Sequence, residues 1–123
     1  MIALLEVGVG GMIGAPTRYV LDQYVSSRTA GVFPWGTFVI NATGALLLGL
    51  IVGLAGDHRL GPSPVAFAGT GFCGAYTTFS TFTYETIRLI EEGRLLSAIC
   101  NVAGSLMVGL LVAGVGLALA ALM

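Results

Sequence analysis

The residues best placed to do chemistry are a run of glycines and hydroxyl side chains in Gly69–Thr83. Three glycines in this stretch are followed by Thr77–Thr83, where five of seven residues carry hydroxyls. These residue types are weak helix formers, so we expect a helix to break here, after Gly74. The surrounding sequence is apolar enough to cross a bilayer, where an unbroken helix is the rule. The pattern therefore indicates a segment that lines or holds a ligand.

Two phenylalanines lie within this hydroxyl-rich stretch. Phe79 and Phe82 are three residues apart and share one face of a helix. Phenylalanines in membrane helices ordinarily pack or face lipid, but these two alternate with Ser80 and Thr81. Because an aromatic ring has an electropositive edge, a pair of ring edges could also contact a small anion.

A break after Gly74 would leave backbone groups without helical partners. Carbonyls near Gly74 and Thr77 would lose their amides, while the following half-helix would present free N–H groups. In broken membrane helices such carbonyls commonly coordinate a cation, and the N-terminus of a half-helix suits an anion.

Asn41 is a polar residue near the centre of another apolar segment, with Thr37 one turn before it. An unpaired amide in hydrocarbon is costly, so Asn41 needs a partner. Two interpretations are open: an interhelical hydrogen bond, or a donor aimed at a permeating anion. Asn101 and Ser105 form a similar polar face in the last segment.

Two charged residues belong to the apolar segments. Glu85 lies one turn after Phe82, and an acid at membrane depth is functional by default. It could instead pair with Arg88 or Arg18. Arg18 either extends to the lipid head groups or raises the anion concentration at an aqueous entrance.

The composition is that of an all-α integral membrane protein. Of 123 residues, 56% are hydrophobic and 9% are charged, and the mean hydropathy is +0.96. A soluble domain has about 25% charged residues. Five arginines against six acids exclude the basic surface of a nucleic-acid-binding protein. No nucleophile, metal-ligand cluster or phosphate-binding loop is apparent, so an enzyme is not expected, and Cys73 and Cys100 are interpreted as packing residues.

Four segments are long enough to cross a bilayer, which takes about 20 helical residues. They are residues 2–21, closed by Arg18, Tyr19 and Asp22, then 34–56, 65–92 and 95–123. The third is longer than a crossing requires, which leaves room for a break, and the whole chain forms one transmembrane subunit. Glycines four residues apart, such as Gly10 and Gly14, predict close helix contacts either within one chain or between copies.

The arginines specify the orientation only weakly. One end of the predicted bundle has Arg59 and the terminal amine, and the other has Arg28 and Arg94. If Arg18 and Arg88 also reach that interface, the positive-inside rule places the N-terminus outside. If those two have internal partners, the count is nearly balanced.

The ordered set of motifs resembles the Fluc (CrcB) family of fluoride channels over essentially the whole chain. Gly10–Tyr19 is similar to the first-helix signature of that family, and 34–44 resembles its second. Gly71–Phe82 is similar to the third-helix motif, which is the most specific of the three. Chain length and the four-span plan also agree.

The resemblance implies a passive, fluoride-selective channel in the cytoplasmic membrane of a prokaryote, which exports fluoride and so lowers its toxicity. It implies an antiparallel, dual-topology homodimer with two pores along the interface. The expected partners are fluoride, a second copy of the chain and the lipid bilayer. The expected cofactor is a structural, untransported Na⁺ held by the backbone carbonyls of Gly74 and Thr77.

The same resemblance implies the residues of the pore. The fluoride path is expected at Asn41, Phe79, Phe82, Ser80, Thr81, Ser105 and Thr37. Arg18 and Glu85 are expected as charges of a vestibule or of the pore. Pro16 inside the first helix and Gly109, where some members carry a hydroxyl, depart from the family pattern.

Two other classes of protein compete with this interpretation. A small four-helix, proton-coupled exporter of cationic drugs has a similar length, but it typically depends on a glutamate embedded in its first helix. Glu6 lies close to the end of that segment. A non-transporting assembly subunit would explain the glycines but not the polar, broken span.

Overall fold

The computed structural model describes residues 1–123 as helices joined by short turns. No strand is present, which confirms the all-α prediction. The helices are α1 (Ile2–Arg28), α2 (Trp35–Gly56), α3 (the consecutive pieces Pro62–Pro64, Val65–Cys73 and Gly74–Tyr76), α4 (Phe79–Glu91) and α5 (Leu95–Leu122).

Helix α1 is longer than predicted. The expectation that Arg18, Tyr19 and Asp22 close it is wrong, because the helix continues to Arg28 and passes through Pro16. Arginine and most other polar residues form helix nearly as well as leucine does. A change from apolar to polar residues can therefore mark the edge of a membrane without ending a helix.

The predicted break in the third segment is present. Thr77 has φ −75° and ψ 159°, and Thr78 has φ −146° and ψ 121°, so both are extended between α3 and α4. The break comes after Gly74, as predicted: Gly74 is itself helical with φ −62° and ψ −36°, and the chain becomes extended three residues later. The residues before it, Val65–Cys73, are wound as a π-helix, a form that often occurs at functional sites.

Two helices are long and apolar enough to span a membrane, as judged by their length and composition. They are α2 and α5, with mean hydropathies of 2.2 and 2.4. The break interrupts the third predicted span, and α1 carries Glu6, Arg18 and Asp22. Four crossings therefore remain a prediction.

Glycines bring the helices into backbone contact. A Cβ at Gly10 or Gly14 of α1 would overlap backbone atoms of α3, and a Cβ at Gly49 of α2 would overlap the backbone of α5. The predicted close contacts are thus confirmed, and these glycines make them within one chain. They produce two tightly packed helix pairs, α1 with α3 and α2 with α5.

The protein has little interior. Only 18 of 123 residues are buried, and three of those are the polar residues Thr37, Thr78 and Asn101. Cys73 is 2% exposed, in agreement with a packing role, whereas Cys100 is exposed. Many large apolar side chains lie on the outside, and a surface of this kind is normally covered by lipid or by another protein.

Candidate functional site

The break between α3 and α4 is held by the side chain of Asn41. Its Nδ2 donates to the carbonyl of Thr78 over 2.9 Å, and the Thr78 N–H donates to its Oδ1 over 2.8 Å. Both backbone groups of an extended residue are thereby paired, which matters where water is scarce. Of the two interpretations of Asn41, the interhelical bond is therefore observed. A primary amide has a second N–H, which can donate to another acceptor.

Thr78 also caps the half-helix α4. Its Oγ1 accepts a hydrogen bond from the N–H of Thr81 over 3.2 Å and donates to Thr81 Oγ1 over 3.0 Å. The hydroxyl of Ser80, an exposed residue, lies 3.4 Å from the same oxygen. The first amides of a helix carry partial positive charge, so this hydroxyl-rich end is suited to an anion.

A cleft of about 290 Å³ runs between α2, α4 and α5 beside this capped end. The rings of Phe79 and Phe82 have centroids 5.9 Å apart and planes inclined by 38°. Phe79 is 80% exposed, so the cleft faces the outside of the protomer. The residues that line it are Asn41, Phe79, Phe82, Val102, Ser105 and Leu106. The structure thus brings four of the predicted pore residues together.

Two more predicted pore residues, Thr37 and Thr81, line a separate polar pocket of about 110 Å³, whereas Ser80 lines neither the cleft nor this pocket. The polar pocket is lined by Arg18, Tyr19, Asp22, Thr37, Ile40, Thr78 and Thr81. Because Thr78 lines this pocket and its partner Asn41 lines the cleft, the Asn41–Thr78 pair lies between the two. Thr37 is 2% exposed, and Arg18 forms no ion pair.

Glu85 lies in a third, smaller pocket of about 100 Å³ together with Arg88. Its Oε2 is buried and has no hydrogen-bond partner. Neither ion pair considered for Glu85 forms, because Arg88 donates from Nε to Glu92 over 2.8 Å and Arg18 lies in the polar pocket. Glu92 is the better partner for Arg88, since residues four apart on an exposed helix face meet without desolvation.

Comparison with known sequences identifies the family. A model described as "CrcB-like protein, Camphor Resistance (CrcB)" matches residues 5–117. A relative from Frankia casuarinae, "Fluoride-specific ion channel FluC 1", is 48% identical over 121 residues, which cover 94% of each chain. A protein of the same name from Streptomyces avermitilis is 51% identical over 106 residues, or 86% of each chain. "Fluoride-specific ion channel FluC 2" from Moorella thermoacetica is 44% identical and covers 94% of this chain and 93% of its own.

The chain belongs to the CrcB family.

The backbone carbonyls of Gly74 and Thr77 are candidate ligands for a cation. In a continuous helix they would accept from the amides of Thr78 and Thr81, which bond instead to Asn41 and to the Thr78 hydroxyl. Beyond its own stretch of helix, nothing lies within 4 Å of the position of a Cβ at Gly74. Carbonyl oxygens are ligands that hard cations accept, so the two residues fit such an ion.

Sequence reasoning missed the two roles of Thr78, which is the hydrogen-bond partner of Asn41 and the N-cap of α4. A threonine directly before the first residue of a helical pattern is a recognisable N-cap signal. It also missed the link between Tyr76, which is 6% exposed, and Thr43, whose hydroxyl oxygens lie 2.7 Å apart. That contact is 33 positions apart in sequence, and no local pattern indicates it.

Proposed function

We propose that this chain is a subunit of a passive, fluoride-selective ion channel that exports fluoride from the cytoplasm. Relatives named fluoride-specific ion channels align with nearly its whole length. The observation that carries the proposal is the cleft at the helix break, where an amide, two aromatic rings and a hydroxyl meet.

The chemistry of the cleft suits a small, strongly hydrated anion. Moving a bare ion into a low-dielectric interior has an idealised cost of order 20 kcal/mol, so donors must replace its water along the path. Asn41, the hydroxyl of Ser105 when it turns away from Asn101, and the ring edges offer partial positive charge without a full fixed charge. An ion held in this way can still leave, as conduction requires.

The channel we propose is an antiparallel homodimer in the cytoplasmic membrane of a prokaryote, with four crossings per chain. The cleft faces outward and exposes Phe79 beside polar groups, an arrangement that favours a protein neighbour over lipid. An antiparallel copy related by a two-fold axis would cover both clefts equally and so make two pores.

A structural Na⁺ at the centre of this dimer is also part of the proposal. The carbonyls of Gly74 and Thr77 would hold it, together with the same pair from the second copy. When bound, the ion would supply positive charge that offsets repulsion between fluoride ions in the two pores. Arg18 would add fixed positive charge at an entrance through the polar pocket, and Glu85 would lie beside the path.

The decisive experiment is ion flux from liposomes that contain the purified protein. We expect release of fluoride down its gradient with chloride largely retained, measured with ion-selective electrodes and compared with protein-free vesicles. Equal flux of the two halides would contradict selectivity, and proton-coupled exchange of cationic drugs would support the exporter.

A variant of Glu6 separates the channel from the exporter. Glu6 lies near the start of α1 and accepts a hydrogen bond from the hydroxyl of Ser63. We expect Glu6→Gln to conduct fluoride at the wild-type rate, because glutamine can still accept that bond. Loss of all transport in this variant would favour the exporter, which needs the acid itself.

A further inference from the structure

Asn101 joins α5 to α4 through a side chain that is fully buried. It is 0% exposed, and its Nδ2 donates to Thr86 Oγ1 over 2.9 Å. The Thr86 hydroxyl donates in turn to the carbonyl of Phe82 over 2.8 Å. The chain of hydrogen bonds therefore runs from α5 to the backbone of a residue that lines the cleft.

The same asparagine also contacts the opposite wall of the cleft. Its Oδ1 lies 3.5 Å from the hydroxyl of Ser105, which donates to it. Phe82 and Ser105 both line the cleft, whereas Asn101 does not. Asn101 is thus linked to two walls of the proposed path without bordering it.

We propose that the Asn101–Thr86 hydrogen bond is a positioning device that sets the separation of Phe82 and Ser105, and through it the selectivity for fluoride over larger halides. This inference rests on the proposed function. No glycine brings α4 into close contact with the rest of the chain, and side-chain hydrogen bonds contribute to its position together with the buried Leu89. Asn41 holds the first turn of α4 through Thr78, and Asn101 holds it one turn beyond Phe82.

Thr86 offers the sharper variants, because Thr86→Val keeps the shape and removes the hydroxyl while Thr86→Ser keeps the hydroxyl. Thr83→Val is the matched control, since Thr83 also donates to a carbonyl of its own helix, that of Phe79, but accepts nothing from α5. We expect Thr86→Val and Asn101→Leu each to lower the fluoride-to-chloride flux ratio about tenfold, the scale of one hydrogen bond. Thr86→Ser and Thr83→Val should keep the wild-type ratio.

The double variant tests the bond itself. If both residues act through one interaction, Thr86→Val with Asn101→Leu should be no worse than either single change, both in flux ratio and in melting temperature in detergent. Additive losses, or a wild-type flux ratio in Thr86→Val, would overturn the inference and leave the proposed function intact. A wild-type protein that releases no fluoride would overturn both, and size-exclusion profiles would show whether each variant is folded.

Discussion

At the scale of single residues, Asn41 does structural work that its position in the sequence does not reveal. Its amide pairs both backbone groups of Thr78, a residue 37 positions away. The sequence indicates that a buried amide needs a partner, but it cannot indicate which one. An asparagine expected to donate to an anion therefore also fixes the backbone next to the proposed path.

Replacing Asn41 with leucine should reduce both stability and flux. Each backbone group of Thr78 left unpaired costs about 1–3 kcal/mol, so we expect a clear fall in the melting temperature measured in detergent. Gln23→Leu is the control, because Gln23 is an exposed amide with no hydrogen bond. If Asn41→Leu melted at the same temperature as Gln23→Leu, the structural role of Asn41 would be contradicted.

Phe82 should matter through its ring and not through its volume alone. We expect Phe82→Ile to lower fluoride flux roughly tenfold in liposomes, since ring contacts contribute about 0.5–1.5 kcal/mol beyond buried area. The variant should still elute as the wild-type oligomer. Phe67→Ile, which changes a ring 37% exposed on α3, should leave the flux unchanged. Equal fluoride fluxes in Phe82→Ile and Phe67→Ile would contradict a role for Phe82 in the fluoride path.

At the scale of helices, the glycine spacing predicts close contacts, and the structure shows which glycines make them and with which helix. Gly8 and Gly14 are both on α1, yet only a Cβ at Gly14 would meet the backbone of α3. We expect Gly14→Ala to destabilise the protein by about 1–3 kcal/mol through overpacking. Gly8→Ala should instead be neutral or stabilising by up to about 1 kcal/mol, because alanine favours helix. Melting temperatures of the two variants in one detergent provide the comparison, and a similar fall in both would contradict the packing.

Most helix positions and ends could be predicted from sequence, but the exact site of the break and the end of α1 could not. The run of hydroxyl residues predicts the break, because such side chains compete for backbone bonds. Its location at Thr77 and Thr78, past Gly74, depends on Asn41 of α2 and on the cap formed by Thr78 itself. The end of α1 at Arg28 is likewise independent of the change to polar residues at Arg18.

At the scale of the whole molecule, the proposed sodium site would make assembly depend on the ions present. A cation bound only by the folded dimer stabilises it by mass action, by about 2.7 kcal/mol at 100 times its dissociation constant. We expect a lower melting temperature and lower fluoride flux when N-methylglucamine replaces Na⁺ at equal ionic strength. The same melting curve in both salts would contradict a sodium-stabilised dimer.

The close glycine contacts have a further consequence for motion. They join α1 to α3 and α2 to α5 through backbone atoms, but none of them includes α4. Amide deuterium exchange in detergent should therefore begin in α4 and reach the glycine-packed pairs last, with Thr77 and Thr78 acting as the hinge. We therefore expect the half of the third segment that carries both phenylalanines to be displaced first by thermal fluctuations, while the remaining helices keep their packing.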